Sequence, residues 1–120
     1  MKFNDYQPIY IQIMDYIKYQ IIRGELKPNE KVLSVREIAS HLKVNPNTVQ
    51  RSYSELEREN IIYAKRGLGN FVTEDDTIVQ KLKEEKAKEI FNNFYMEIQK
   101  LGFNKLESIK LIEEGWIENE

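Results

Sequence analysis

The sequence predicts a mainly α-helical fold with one small β-hairpin and two further helices behind it. Residues 34–42 and 45–56 are short amphipathic segments joined by two residues, which predicts two short helices around a tight turn. Residues 61–64 and 71–73 are β-prone runs on either side of a glycine-containing loop, which predicts a hairpin. Two short helices, a tight turn and a following hairpin are the elements of a winged helix-turn-helix domain.

The first predicted helix begins at Pro8 and ends near Arg23. Gly24 can adopt the left-handed conformation that ends many helices. Residues 27–29, Lys-Pro-Asn, then predict a turn, because asparagine tolerates the left-handed region. Apolar residues recur every three or four positions along this helix and predict its inward face, which consists of Tyr10, Ile13, Met14, Ile17 and Ile21.

Both short helices begin with clear capping signals. Ser34 and Glu37 have the spacing of a capping box. Asn45 precedes Pro46 as an N-cap residue precedes the first residue of a helix. The second short helix has an inward stripe of Val49, Tyr53 and Leu56, and its outward residues are Asn47, Gln50, Arg51 and Ser54.

Residues 74–120 predict a long helix, a stop and a last helix. Asp75 is an N-cap candidate for the long helix, Gly102 is a typical helix end, and Asn104 can cap the last helix. We therefore divide the chain into a winged helix-turn-helix domain over residues 1–73 and a helical dimerisation segment over residues 74–120.

The composition excludes several classes of protein. The chain has no cysteine, so it forms no disulfide and has no thiolate metal ligand or cysteine nucleophile. Its one histidine, His41, belongs to no pattern of a catalytic pair or a metal site. No stretch of about 18 residues lacks a charge, and the N-terminus has no apolar leader. We expect a cytoplasmic protein that is not an enzyme, uses no cofactor and does not enter a membrane.

Charge is divided unevenly along the chain. Residues 1–73 carry 11 Lys and Arg against 8 Asp and Glu, whereas residues 74–120 carry 7 against 12. The overall net charge of −2 therefore combines a basic front with an acidic back. Such a division suits a protein of which only one end approaches a polyanion.

The outward residues of the second short helix have the chemistry that reads duplex DNA. In a helix-turn-helix this helix lies in the major groove with its N-terminal residues at the base edges. Asn and Gln bind adenine, Arg binds guanine, and Thr reaches a base or a phosphate. Arg36 in the preceding helix can hold a phosphate, and cations in the hairpin loop can grip the backbone. The predicted DNA-binding residues are Arg36, Asn47, Thr48, Gln50, Arg51, Lys65 and Arg66.

The same residues also have ordinary structural interpretations. Asn47 and Gln50 can simply be solvated. Arg51 can pair with Glu55 one turn further on, a contact that stabilises a helix by a few tenths of a kcal/mol, roughly. The alternative function is a winged helix that binds only another protein. The exposed helix face favours DNA, because it lacks the large apolar anchor that protein interfaces favour.

Six short motifs occur in order between Pro8 and Val72, and together they resemble the DNA-binding domain of the GntR family of bacterial regulators. The resemblance implies that Arg36, residues 45, 47, 48 and 50 (Asn45, Asn47, Thr48 and Gln50), and the wing around Gly67 contact DNA. The short tail resembles that of the YtrA-type subfamily, which implies a homodimeric repressor on a palindromic operator, often beside genes for ABC transporters. The motifs are Pro8–Tyr10, Gly24–Pro28, Leu33–Ala39, Val44–Val49, Leu56–Glu57 and Gly67–Val72.

Three positions depart from the family pattern. Residue 46 is commonly Arg and is Pro46 here, which removes one expected DNA contact. Residue 43 is commonly Gly and is Lys43 here, which costs up to about 1 kcal/mol if the left-handed backbone is kept. Residue 68 is frequently basic and is Leu68 here, so Lys65 and Arg66 are expected to take over its role.

The acidic tail has an apolar stripe that two helices alone cover poorly. Packing against a second copy would cover it, and the resemblance implies such a homodimer. The competing interpretation is a pocket for a small-molecule effector of unknown identity, lined by Phe94, Tyr95 and Trp116. Aromatic residues at helical spacing more often form a core or an interface, so dimerisation is favoured. The predicted interface residues are Ile90, Phe91, Phe94, Ile98 and Trp116.

Overall fold

The computed structural model describes residues 1–120, and it confirms the predicted mainly helical fold with a small antiparallel hairpin. The chain divides into two compact units, Met1–Lys83 and Glu84–Glu120. The first unit extends past residue 73 into the long helix, and the functional division at that residue stays a prediction. The elements are α1 (Ile9–Ile22), α2 (Val35–Leu42), α3 (Pro46–Arg58), β1 (Ile62–Lys65), β2 (Gly69–Val72), α4 (Asp76–Lys100) and α5 (Lys105–Glu118).

The core of the first unit is built from the inward faces that the periodicity predicts. Ile13 and Ile17 of α1, Tyr53 and Leu56 of α3, and Val72 of β2 are each no more than 2% exposed. Burying one large apolar side chain contributes about 1.5–3 kcal/mol. The three elements therefore hold one another in place, and α3 has a fixed rotation about its own axis.

The turn between α2 and α3 keeps the left-handed backbone that the family pattern implies. Lys43 has φ 57° and ψ 50°, and its N–H donates to the carbonyl of Ala39. The N–H of Val44 donates to the same carbonyl at 3.0 Å. A non-glycine residue in this region costs about 1 kcal/mol, which the two hydrogen bonds and the packing of α2 against α3 offset.

The hairpin is a two-stranded antiparallel sheet. Ile62 pairs with Val72, Tyr63 with Phe71, Ala64 with Asn70, and Lys65 with Gly69. Successive side chains of a strand point to opposite faces, and here Ile62 and Val72 are buried on the core face. The other face and the connecting turn are therefore available at the surface.

The second unit, Glu84–Glu120, has little core of its own. Within it, Ile98 is 8% exposed, whereas α5 buries no residue. The predicted helix signals are nevertheless confirmed: Gly102 is left-handed with φ 76°, and Asn104 and Glu107 form a capping box. None of the helices of the chain combines the length and the apolar character needed to cross a membrane.

Candidate nucleic-acid interface

The exposed beginning of α3 carries most of the predicted site. Asn45 is the N-cap and accepts a hydrogen bond from the N–H of Asn47 at 2.8 Å, so the predicted capping role is confirmed. Pro46 opens the helix, as the Asn-Pro pair predicts. Asn47, Gln50 and Arg51 are exposed and Thr48 is half-buried. These polar side chains therefore stand together on the outer side of the first two turns.

Two buried hydroxyl groups tie α3 to its neighbours. The Ser52 hydroxyl donates to the carbonyl of Tyr10 in α1 at 2.8 Å. The Tyr53 hydroxyl donates to the carbonyl of Leu33, just before α2. Burial raises the pKa of Tyr53, and the nearby charge of Glu37 adds to the rise, so this hydroxyl stays a donor at neutral pH. Together the two bonds set both the rotation and the position of the polar face of α3.

Gln50 is an outward residue of α3 whose side-chain amide already makes a hydrogen bond within the helix. Its Nε2 donates to the Ser54 hydroxyl at 3.2 Å, one turn further along the helix. Both groups are exposed, so this contact holds the amide along the helix surface without burying it. A base edge can replace the hydroxyl, because a bidentate amide–adenine pair offers two hydrogen bonds in place of one.

Arg51 lies against α1 and does not pair with Glu55. Its guanidinium carbon is 3.7 Å from the centroid of the Tyr10 ring, a cation–π contact. Glu55 instead pairs with Arg58, on the following turn. The interpretation of Arg51 as a partner of Glu55 was therefore wrong, because the Tyr10 ring of α1 lies within its reach. A stacked guanidinium keeps its edge donors free for an acceptor in the plane of the group.

Arg36 lies in the first turn of α2 and is exposed. The capping box beneath it is complete: the N–H of Ser34 donates to Glu37 at 2.9 Å, and the N–H of Glu37 donates to the Ser34 hydroxyl at 3.1 Å. Hydrogen bonds from the backbone and the hydroxyl of Ser34 hold the pKa of Glu37 below its usual value, and the charge of Lys31 lowers it further. The local backbone that presents Arg36 is thus fixed by its own cap.

We call the hairpin of β1 and β2, with its connecting turn, the wing. Its two cations lie in different places. Arg66 and Gly67 lie at the exposed turn, where Gly67 has φ 78°. Lys65 instead folds over the sheet, with its Nζ 4.4 Å from the centroid of Phe71 and 5.7 Å from that of Tyr63. Arg66 is therefore the cation of the turn, and Lys65 belongs to the outer face of the sheet.

Two residues of this region could not be found from the sequence. Tyr10 belongs to the predicted inward face of α1, yet its half-buried ring supports Arg51. Lys31 lies in a loop by sequence, yet it forms a β-bridge with Phe71 of the wing. Both roles depend on contacts between segments that are far apart in the chain, and no periodicity or cap signals such contacts.

The predicted interface residues of the tail differ in their exposure. Ile90 and Phe91 are 59% and 55% exposed, Trp116 is 69% exposed, and Phe94 is half-buried. Ile98 is buried within its own chain, so it offers little surface to a partner. The dimer interface stays a prediction.

Two apolar grooves lie along α4 and α5 within the second unit. Phe94 and Trp116 line a groove of about 810 Å³, and Phe94 and Tyr95 line a neighbouring one of about 410 Å³. The three aromatic residues of the predicted effector pocket are thus spread over two grooves.

Comparison with known proteins agrees with the geometry. Residues 9–72 match the family model of the bacterial regulatory proteins of the gntR family. The HTH-type transcriptional regulator YhcF of Bacillus subtilis (strain 168) is 45% identical over 117 residues, which cover 95% of this chain and 97% of that protein. The HTH-type transcriptional repressor YtrA of the same organism is 40% identical over 102 residues, 78% of each chain.

A solved structure extends the similarity beyond the winged helix. A GntR family transcriptional regulator from Listeria monocytogenes has a TM-score of 0.89 and 45% identity, and the match covers 93% of this chain and 98% of that one. The similarity therefore includes the helical tail. The chain belongs to the GntR family, and it is a DNA-binding winged helix-turn-helix transcription regulator, not an enzyme.

Proposed function

We propose that the chain is a homodimeric repressor that binds a palindromic operator. The observation that carries the proposal is the polar, exposed beginning of α3, whose orientation is set by the buried hydroxyls of Ser52 and Tyr53. A recognition helix needs such a support, because bidentate base contacts tolerate little change in geometry.

The proposed contacts fall into two groups. Asn47, Thr48 and Gln50 read base edges in the major groove, with Asn45 at the cap beside them. The cations of α2, α3 and the wing, together with the glycine turn of the wing, bind the sugar-phosphate backbone and carry affinity without sequence information. This second group consists of Arg36, Arg51, Lys65, Arg66 and Gly67.

The proposed dimer rests on the second unit. Its large apolar residues are exposed in the single chain, as Phe91 and Trp116 illustrate. Contiguous apolar surface of this kind on a folded protein marks an interaction site. A second copy offers the same apolar surface, and a two-fold dimer presents two recognition helices to two half-sites of a palindrome.

The direction of regulation and the target follow from similarity. The relative YtrA is named a transcriptional repressor, and we propose repression here. From the resemblance to the YtrA-type subfamily, we propose that the regulated operon encodes an ABC transporter. Footprinting of the bound protein across its genome would test the target directly.

Mobility shifts on a palindromic operator and on a random duplex test the DNA contacts. Gln50→Ala is expected to lower the preference for the operator over the random duplex by about tenfold, the value of one lost base contact. Arg66→Ala should weaken both duplexes alike. Gln99→Ala, an exposed glutamine of the second unit, is the matched control and should change neither.

The alternative is a winged helix that docks only on a protein. Its outcome in the same experiment is different: no duplex binding, or binding that does not weaken as salt rises, would overturn the proposed function. Light scattering at micromolar concentration tests the dimer separately, and a monomer would contradict it.

A further inference from the structure

The wing has a third, short strand segment that precedes α2. The N–H of Asn29 donates to the carbonyl of Val72, and the N–H of Val72 donates to the carbonyl of Glu30, both at 2.9 Å. The N–H of Val32 donates to the carbonyl of Asn70, also at 2.9 Å. Residues 29–32 therefore pair with β2 on the side opposite β1, and Lys31 forms a bridge with Phe71.

The pairing puts Lys31 and Lys65 on the same face of this small sheet. Residues that are directly opposite in neighbouring strands share a face. Lys31, Phe71 and Tyr63 thus form one row, and Lys65 with Gly69 forms the next row on that face. We call these five residues the outer face of the wing. It is separate from the turn that holds Arg66, and it lies opposite the core face.

Gly69 leaves room for the Lys31 side chain to cross the sheet. A Cβ added at Gly69 would lie 3.0 Å from Cε of Lys31 and 3.8 Å from its Nζ. Real Cβ contacts are rarely so short, so a larger residue at position 69 would push the lysine aside. The path over Gly69 brings the Lys31 ammonium to the row of Lys65, whose Nζ lies over Phe71.

Two ammonium groups thus stand on one exposed face without an ion-pair partner of their own. The aromatic rings of Tyr63 and Phe71 beneath Lys65 support its cation but do not neutralise it. Lys31 also lies close enough to the first turn of α2 for its charge to help lower the pKa of Glu37, after the hydrogen bonds from Ser34. Arg36, the proposed phosphate ligand of α2, is the neighbour of Glu37 in the same turn.

We propose that Lys31 binds a DNA phosphate together with Lys65, so that the outer face of the wing is part of the DNA interface. The inference rests on the proposed function, and it extends the contact from the wing turn towards α2. Gly69 has a specific part in it, because its missing side chain leaves the path of Lys31 open.

The test is Lys31→Gln in the full chain, titrated against the palindromic operator and a random duplex at several salt concentrations. One lost phosphate contact should reduce the slope of log K against log salt by about 0.9. Both duplexes should be bound about three- to tenfold more weakly, since a phosphate contact carries no sequence information. Lys31→Arg keeps the charge and should keep the wild-type slope.

Lys27→Gln is the matched control, because it removes an exposed lysine of the same loop outside the outer face. It should leave affinity and slope unchanged. If Lys31→Gln behaves like this control while the wild type binds DNA, the inference is overturned and the proposed function stands. Weakening of the operator alone would also overturn it, since that result would indicate a base contact. A wild type that binds neither duplex overturns both.

Discussion

The two compact units of the chain bury their apolar side chains to very different extents; the first is Met1–Lys83 and the second is Glu84–Glu120. In the first unit the faces of α1, α3 and the hairpin cover one another, and Ile13, Tyr53 and Leu56 are fully buried. In the second unit α5 buries no residue, and Trp116 is 69% exposed. The first unit contains its own core, whereas the second has an apolar surface still to be covered. The winged helix-turn-helix thus has a complete core within one chain, whereas the tail leaves apolar side chains exposed.

Intrinsic fluorescence can follow the two units separately. The only tryptophan, Trp116, lies in the second unit, and six of the seven tyrosines lie in the first. Tryptophan emission therefore reports on the tail, and near-ultraviolet tyrosine signals report mainly on the winged helix.

The largest expected effect is the loss of a core side chain from the first unit. Leu56→Ala should lower the free energy of unfolding by about 2–5 kcal/mol, because it leaves a cavity among fully buried neighbours. Leu106→Ala, at a residue of the second unit that is 77% exposed, should change it by less than about 0.5 kcal/mol. Urea unfolding measures both. Equal effects would show that the two leucines are buried alike in solution.

The next effect concerns the exposed face of the tail. Phe91→Glu should convert the proposed dimer to a monomer, because a charge would be buried in its apolar interface. Operator affinity should then fall by about a hundredfold or more, since two linked half-site contacts become one. Light scattering and mobility shifts provide the two readouts. Tyr6→Glu, at an aromatic residue of the first unit that is 92% exposed, is the control and should remain dimeric.

A smaller effect tests whether packing within the first unit also orients a side chain at its surface. Tyr10→Leu removes the ring under Arg51 and should weaken operator binding by about two- to fivefold, the value of an exposed cation–π contact. Tyr10→Phe keeps the ring and should bind like the wild type. Both variants keep the backbone carbonyl that accepts from Ser52. A loss in Tyr10→Phe would instead assign the effect to the hydroxyl group.

The turn between α2 and α3 and the turn between α4 and α5 allow two substitutions with opposite expected effects on stability. Lys43 and Gly102 are both left-handed, with φ 57° and 76°. Lys43→Gly should stabilise the first unit by about 0.5–1 kcal/mol, and Gly102→Lys should destabilise the second unit by about 1 kcal/mol. Thermal unfolding followed by tyrosine and tryptophan signals distinguishes them. The same sign for both would contradict the backbone argument.

The smallest effect is a dependence on acid pH. Hydrogen bonds from Ser34 lower the pKa of Glu37, and hydrogen bonds from Thr77 lower the pKa of Asp75. A lowered pKa in the folded state stabilises the fold above the unfolded value and loses this contribution as the pH falls through the folded value. Stability should therefore decline slightly below pH 4.5, the ordinary value of Glu37. Glu37→Gln should show less of this decline, since glutamine can still accept in a capping box.

Much of the fold was predictable because it depends on local rules. The capping box at Ser34 and the N-cap at Asn104 are formed as predicted, since each involves residues within one helical turn. The stripe of Val49, Tyr53 and Leu56 predicted which side of α3 faces inward, and thereby which polar residues face outward. The family motifs between Pro8 and Val72 added the DNA-binding domain, and the gntR family model matches residues 9–72.

Contacts between distant segments were decided by the tertiary structure alone. Arg51 lies on Tyr10 because α1 crosses α3 at that point, and Lys31 joins the wing because residues 29–32 pair with β2. Ile98 is buried by its own chain, although it belongs to the same predicted stripe as the exposed Phe91 and the half-buried Phe94. By itself the sequence determined the helices, their caps and their apolar faces, because these follow from hydrogen bonds and periodicity over a few residues. The partners of those faces depend on how the whole chain packs.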